Sequence, residues 1–349
     1  MVENMHNKYM RMAINKAKKG WGRTSPNPMV GAVIVNDNQV IGQGYHKKAG
    51  TPHAEINAIN SVLDKPDFKK LLSCSTIYVT LEPCSTFGRT PPCTEAIINA
   101  GIKEVVIGTL DSNPEHAGAA VKILEQNGIK VTVGVEEEKC IILNEAFFYW
   151  VVHKKPFVLL KMAMTLDGKI ATKNGNSQWV TGPIARNRVQ KLRKWADAIM
   201  IGGATARIDK PSLTVRGSNK KALKNWVQPR RFIASFSMTQ AELDVIFPNG
   251  AELIKADSQS DWNDVMTRLG RENITSILVE GGGELAAQLL KAGIINKVEF
   301  HIAPKILTGR NSRPVAGGAN PFSLDEALQL ANVEITRYGK DIAVSGYLK

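Results

Sequence analysis

Short apolar, β-branched runs alternate with segments of helical period along almost the whole chain, and few folds accept that pattern. Residues 8–19 read as an amphipathic helix that Gly20 stops. Strands are expected over 29–35 and 39–46, joined by the turn residues Asn36, Asp37 and Asn38. A helix follows over 53–63, then a strand over 75–81 and a helix over 94–101 closed by glycine. The series continues with a strand over 104–110, a helix over 119–128 and a strand over 130–135. Residues 136–153 read as one closing helix. A second series begins after residues 154–156. Its strands are expected over 156–165, 197–203, 230–235, 276–280 and 297–304, and its helices over 261–270 and 284–293. Alternation of this kind packs helices on a central sheet, so both halves are expected to be α/β. At 349 residues the chain exceeds one typical domain, and the boundary divides it into domains 1–153 and 154–349.

Four cysteines, Cys74, Cys84, Cys93 and Cys140, are too few for a disulfide scaffold in a chain of this length. The N-terminus has no apolar core of a secretory signal, and no apolar run approaches a membrane span. A reducing cytoplasm is the expected setting, which favours metal binding over a disulfide. The net charge of +13 suits either an anionic partner or a solvated basic surface. Lysines and arginines are scattered, with no stripe dedicated to nucleic acid.

The segment "TLEPCSTFGRTPPC" places Cys84 and Cys93 each after a proline, with eight residues between them. "PHAEINA" adds His53 and Glu55. One imidazole and two thiolates suit zinc by softness, and three protein ligands leave the fourth tetrahedral position open, as catalytic zinc requires. Zinc lowers the pKa of water, and Glu55 is the group to take the proton and pass it to a leaving nitrogen. An H-x-E motif with a P-C-x-x-C motif marks zinc nucleobase deaminases. Here the second cysteine departs from that spacing, and the insertion would bring Arg89 toward an anionic substrate. Singly, a histidine at a helix start or a buried cysteine is ordinary structure. Jointly they point to zinc, with Cys74 and Cys140 left structural. On a regular helix, residues two apart point about 200° apart, so His53 and Glu55 share a site only where the helix end opens onto it.

In the second half "LVEGGGELAAQLL" runs strand, triple glycine, helix, which suits a tight turn or a phosphate loop. It lacks the G-x-G-x-x-G spacing of a dinucleotide fold. "LKMAMTLDGKIA", "NSQWVTG" and "ATARIDKPSLTVR" read as polar insertions at strand ends. Trp179 would cover a flat ring there, and Arg193 and Arg216 would hold a phosphate bidentately; the structural alternative is a core tryptophan with solvated arginines.

Taken together, "PNPMVGAVIV", "GYH", "HAE", "TLEPCSTFGRTPPC", "DSNP", "KMAMTLDGKIA", "SQWVTG", "DKPSLTVR" and "VEGGGEL" resemble, in order and over nearly the whole chain, a known family. It is that of bifunctional riboflavin-biosynthesis enzymes, a pyrimidine deaminase fused to a 5-amino-6-(5-phosphoribosylamino)uracil reductase. The resemblance implies a cytidine-deaminase-like three-layer α/β/α first domain and a dihydrofolate-reductase-like α/β second domain. It implies a zinc-dependent hydrolase that deaminates 2,5-diamino-6-(5-phosphoribosylamino)pyrimidin-4(3H)-one, with Glu55 moving the proton. It implies an oxidoreductase that then reduces the ribosyl group to ribityl with NADPH. One Zn2+ would sit on His53, Cys84 and Cys93. By motif, Asn27, His46, Arg89, Asp111 and Asn113 match deaminase substrate positions. Lys161, Ser177, Arg193, Leu213, Arg216 and Glu280 match reductase substrate positions. Ala163, Trp179, Thr205, Asp209, Ser235, Gly282, Gly283, Glu284 and Leu285 match cofactor positions. The family implies phosphorylated pyrimidine substrates and a homo-oligomer, with no nucleic acid or membrane partner. One departure stands out: many members have a histidine after Cys-Ser, whereas Thr86 and Phe87 follow Ser85 here, so that contact is replaced or lost.

Two rivals share some of these features. An RNA or nucleoside deaminase with an unrelated appendage explains the zinc motif and the charge but not "GRTPPC" or the second half. A nucleic-acid-binding protein with structural zinc requires a fourth protein ligand. Both rivals predict salt-sensitive RNA binding.

Overall fold

The computed structural model describes residues 2–87, 91–113, 117–217 and 221–349. The chain divides into two compact units, Met1–His153 and Lys154–Lys349. Among the described residues no helix is long and apolar enough to cross a membrane.

The first unit runs α1 (Val2–Ala17), β1 (Gly31–Asn36), β2 (Gln39–Tyr45), α2 (Ala54–Asn60), α3 (Phe68–Ser73), β3 (Thr76–Val79), α4 (Cys93–Asn99), β4 (Glu104–Ile107), α5 (Ala119–Gln126), β5 (Lys130–Val133), α6 (Glu137–Leu143) and α7 (Glu145–His153). Its sheet has the order β2-β1-β3-β4-β5. Strands β2, β1 and β3 are antiparallel, whereas β3, β4 and β5 are parallel. Side chains alternate across a strand, and the core follows that period. Ala32, Ile34, Ile77, Val79, Val105 and Ile107 pack beneath α2, α4 and α5. Val33, Val35, Tyr78 and Val106 face the other way, against α1 and Cys140 of α6. The result is three layers. Asp37 and Asn38 both adopt positive φ in the β1–β2 turn, the backbone that such a two-residue hairpin demands.

Residues 136–153 form two helices rather than the single one expected. The break is at Asn144, whose buried side chain accepts from the Met29 amide at 2.8 Å and donates to the Met29 carbonyl at 2.9 Å. A side chain committed to the backbone of the segment leading into β1 pulls its own backbone off the helical path.

The second unit runs β6 (Phe157–Thr165), β7 (Lys169–Ala171), α8 (Pro183–Trp195), β8 (Ala198–Gly202), α9 (Gly203–Asp209), β9 (Arg230–Ala234), α10 (Gln240–Ile246), β10 (Glu252–Ile254), α11 (Gln259–Arg271), β11 (Ser276–Glu280), α12 (Gly283–Lys291), β12 (Lys297–Ala303), β13 (Arg313–Pro314), β14 (Leu330–Tyr338) and β15 (Asp341–Leu348). The main sheet has the order β10-β9-β8-β11-β6-β12-β15-β14. It is parallel from β10 to β12 and antiparallel through β15 and β14. Val158, Leu160, Met200, Ile277 and Val279 pack under α11 and α12, while Leu159, Ile199, Ile201, Ile233 and Leu278 pack under α8, α9 and α10.

Helix α8 was hidden in a polar sequence. Its buried stripe is Ala185, Val189 and Leu192, a helical spacing within a segment otherwise rich in Arg and Lys. Two of those arginines fasten it to the sheet. Arg193 pairs with Glu280 of β11 through Nε at 2.6 Å and Nη2 at 2.8 Å. Arg188 pairs with Glu299 of β12 through Nε at 3.0 Å and Nη2 at 2.8 Å. Such two-toothed pairs are the strong form of the interaction.

Two outcomes follow. A Cβ at Gly44 of β2 would lie 2.2 Å from the Ala54 carbonyl oxygen and 2.4 Å from the Ala58 nitrogen, both backbone atoms of α2. Gly44→Ala is therefore expected to destabilise the first unit by about 1–3 kcal/mol in denaturant unfolding. The second concerns acid. Burial would raise the Glu299 carboxyl, but His301 and Arg188 outweigh it and hold it at about 2, below its ordinary 4.5. A depressed carboxyl stabilises the fold above its unfolded pKa, and the gain is lost as pH falls from 4.5 through about 2. The gap corresponds to about 3 kcal/mol, so acid unfolding curves of Glu299→Gln should lack that component of the wild-type pH dependence.

Candidate functional sites

The first site forms where two helices begin. His53 is the N-cap of α2, with an extended backbone at φ −69° and ψ 169°. Its side chain is thus off the helical phase, and Glu55 in the first turn shares the site with it. Cys84 lies in the loop after β3, and Cys93 is the first residue of α4, following the N-cap Pro92. His53 Nδ1 is 3.5 Å from Cys84 Sγ and 3.4 Å from Cys93 Sγ. The Cys93 amide donates to Cys84 Sγ at 3.2 Å. The three donor atoms lie within 4.8 Å of one another.

Glu55 is 3 % exposed, and its Oε2 has no hydrogen-bond partner among the described residues. Burial and the adjacent Cys84 raise its carboxyl to about 7. The Cys84 thiol is held at about 4, first by the Cys93 side chain and then by His53, against the effect of burial. The Cys93 thiol is pushed up by its hydrogen bond to Cys84 and by burial. One acidified sulfur, a second sulfur and an imidazole nitrogen form a donor triangle, and an orphaned carboxylate oxygen lies beside it. That set fits a zinc ion with three protein ligands and one open position.

Around it, Asn27 Nδ2 donates to His46 Nε2 at 3.2 Å, and the His46 ring meets that of His53 edge-on at 5.3 Å. His46 Nδ1 lies 3.3 Å from the Pro52 carbonyl, which can only accept. His46 therefore carries its proton on Nδ1, and burial lowers its pKa. Asp111 Oδ1 accepts from the Asn113 amide at 2.9 Å. Arg89 lies outside the described residues.

Sequence reasoning passed over Glu82. Its buried carboxylate accepts from the amides of Asp111 at 3.1 Å, Gly118 at 3.0 Å and Ala120 at 3.0 Å. It ties the segment carrying Asp111 to the loop carrying Cys84. The signal was its position in "EPC", immediately before Pro83 and Cys84.

In the second unit Lys161, Arg193, Arg216 and Glu280, four of the residues matched to substrate, gather on the α8 face. Lys161 of β6 is in register with Glu280 of β11 on one side and Glu299 of β12 on the other. Burial lowers the Lys161 pKa, and Glu280 opposes that shift. The Arg193 edge expected to grip a phosphate is taken by Glu280, and its Nη1 donates to the Thr214 carbonyl at 3.2 Å. Arg216 sits near that pair, and its guanidinium contacts Ser212. The Leu213 side chain belongs to the core, 1 % exposed, which leaves its backbone for any ligand; its φ of 48° is unusual for leucine. Ser177 Oγ donates to Asp209 Oδ1 at 3.5 Å, and burial raises the Asp209 carboxyl.

Of the residues matched to cofactor, Thr205, Ser235 and Gly282 to Leu285 meet at the carboxyl ends of parallel strands, where open α/β sheets bind ligands. Gly281 and Gly282 have φ of 73° and 87°, open to glycine at no cost. A Cβ on Gly282 would lie 3.1 Å from Thr205 Oγ1, and one on Gly203 would lie 2.6 Å from Ser235 Oγ. A Cβ on Gly283 would lie 2.5 Å from the Pro314 carbonyl oxygen. Leu285 packs on the same turn, within 3.8 Å of the Gly282 Cβ position. This bare-backbone cradle fits a dinucleotide such as NADPH. Glu284 is turned away, its Oε2 accepting from the Gly318 amide at 3.2 Å. Ala163 is in register with His301. Trp179 is 63 % exposed, with Arg186 4.5 Å from its ring centroid, and is not a core residue.

Comparison with known proteins follows the same division. Residues 3–109 match the cytidine and deoxycytidylate deaminase zinc-binding region, and residues 156–344 match the RibD C-terminal domain. The riboflavin biosynthesis protein RibD of Actinobacillus pleuropneumoniae is 39% identical, over 96% of this chain and 93% of its own. That of Synechocystis is 40% identical, over 97% of this chain and 95% of its own. Among solved structures, Acinetobacter baumannii RibD is similar at 32% identity, covering 99% of each chain with a TM-score of 0.86. A diaminohydroxyphosphoribosylaminopyrimidine deaminase/5-amino-6-(5-phosphoribosylamino)uracil reductase from Thermotoga maritima is similar at 34% identity, covering 100% of each chain with a TM-score of 0.85. A zinc-binding deaminase half and a reductase half, matched in order over nearly the full length of such relatives, make this chain a member of the RibD family of bifunctional riboflavin-biosynthesis deaminase–reductases.

Proposed function

We propose that domain 1–153 deaminates 2,5-diamino-6-(5-phosphoribosylamino)pyrimidin-4(3H)-one, and that domain 154–349 reduces the ribosyl group of the product to ribityl. The observation that carries the first half is the buried Glu55 Oε2, without a partner, beside the His53–Cys84–Cys93 triangle. His53, Cys84 and Cys93 would hold the zinc, which would supply the Lewis acidity that makes water nucleophilic near neutral pH. Water adds at the amino-bearing ring carbon, the carbon–nitrogen bond breaks and ammonia leaves. Glu55 accepts a proton from the water and returns it to the departing nitrogen. Asn27, oriented by His46, holds the pyrimidine with Asp111 and Asn113, and Arg89 is assigned to the phosphoribosyl end.

In the second half NADPH supplies hydride. The cradle of Thr205, Ser235 and Gly282 to Leu285, with Ala163, Trp179 and Asp209, is assigned to the cofactor. Lys161 and Arg216 are assigned to the anionic end of the substrate, since Glu280 occupies the Arg193 fork. Ser177 and the Leu213 backbone line the same site. A thiolate site and a chain without a membrane-crossing helix among its described residues support work in a reducing cytoplasm. The same reading includes a homo-oligomer and excludes a nucleic-acid partner.

The test follows ammonia release and NADPH oxidation in parallel on zinc-replete protein. Glu55→Ala should lower deamination by about 10²–10⁴-fold and leave reduction of pre-deaminated substrate unchanged. Chelation should abolish ammonia release, and added zinc should restore it. Loss of both activities in a folded Glu55→Ala protein would mean that the sites are not independent. Wild-type deamination by that variant would remove Glu55 from the chemistry.

A further inference from the structure

Parallel strands β11, β6 and β12 set Glu280, Lys161 and Glu299 abreast on the face covered by α8. The reading above uses the first two and leaves Glu299 without a task. Yet Glu299 is 5 % exposed and fully engaged. Both of its oxygens are held by Arg188, and His301 Nε2 lies 2.8 Å from Oε1. His301 is entirely buried, two residues along the same strand face, and its Nδ1 has no partner. Because a carboxylate can only accept, His301 carries its proton on Nε2.

Fastening α8 does not account for this cluster. Arg193 and Glu280 already do that, and a buried ion pair adds little stability over apolar residues of the same volume. What needs a carboxylate at this position is Lys161. Its side chain is 8 % exposed, and burial works against its charge while Glu280 and Glu299 work for it. The charges around it are Glu280 from β11, Arg193 and Arg188 from α8, Glu299 and His301 from β12, and Arg216 near Glu280. Glu280 faces Lys161 with its charge balanced by the well-buried Arg193, whereas Arg188 reaches Glu299 with 26% of its side chain still in solvent. Glu280 is the larger support for the Lys161 charge, Arg193 opposes it, and Glu299 adds its support from the other flanking strand.

We propose that Glu299, clamped by Arg188 and His301, is a positioning residue of the reductase site that keeps Lys161 charged and aimed at an anionic substrate. The proposal rests on the assignment of Lys161 to the substrate.

The experiment measures reductase kcat/KM against pH in the full-length protein, with ammonia release and thermal unfolding as controls for the fold. Glu299→Gln should lower kcat/KM by about 10- to 100-fold, mainly through KM, and move the alkaline limb to lower pH, because one negative charge beside the ammonium is gone. Arg188→Met should leave the carboxylate unclamped and move that limb to higher pH. A purely structural role would shift neither limb. If Glu299→Gln fails to fold, the direction of the Arg188→Met shift decides. Wild-type limbs in both variants, with Lys161→Met inactive, overturn the proposal and leave the Lys161 assignment standing. An active Lys161→Met protein overturns that assignment first.

Discussion

Close approach of helix backbone to strand backbone sets the geometry of the first unit. At Gly31 a Cβ would meet the Ala13 carbonyl oxygen at 2.0 Å, and at Gly44 it would meet that of Ala54 at 2.2 Å. The two glycines seat α1 on β1 and α2 on β2 nearer than any side chain would allow. The second seating decides where α2 starts. Because His53 is the N-cap and Glu55 lies in the first turn, both inherit their positions from a contact that involves neither of them.

The second unit solves a different problem. Its site uses charge rather than soft donors, and places Lys161 mid-strand, where its direction is fixed by register. Packing α8 over that face limits its contact with water, which strengthens the interactions beneath it and raises the cost of an unpaired charge. Glu280 and Glu299 offset that cost from both flanking strands, and each is matched to an arginine of the same helix. Two arginines and one lysine against two carboxylates leave a positive excess, a balance that suits an anionic ligand.

How much of this could be read from residues alone depended on distance along the chain. The strand–helix series of the first unit was legible because each element carries its own period. His53, Glu55, Cys84 and Cys93 were legible because their chemistry is rare and their motifs are local. Asn144 broke an expected helix because its partner, Met29, is remote in sequence. Helix α8 was obscured because its exposed face is so basic that three buried residues were all that marked it. The β14–β15 hairpin was missed for a related reason. Most of β14 is exposed on both faces, so it has no alternation to read. Arg193 was legible as a cation but not as one already paired with Glu280, since β11 follows α8 by a long stretch of chain.

Glu299 marks the limit of motif reading most clearly. In sequence it is an acidic residue inside an apolar strand, "KVEFHIAP", which ordinarily counts against burial. Only the parallel register of β6 and β12 shows that it lies beside Lys161. The histidine two positions on then stops being incidental, since period-two geometry places it on the same face, within reach of the same carboxylate. A strand that breaks its own apolar pattern twice, at that period and beside a lysine of the next strand, departs from what packing alone would select.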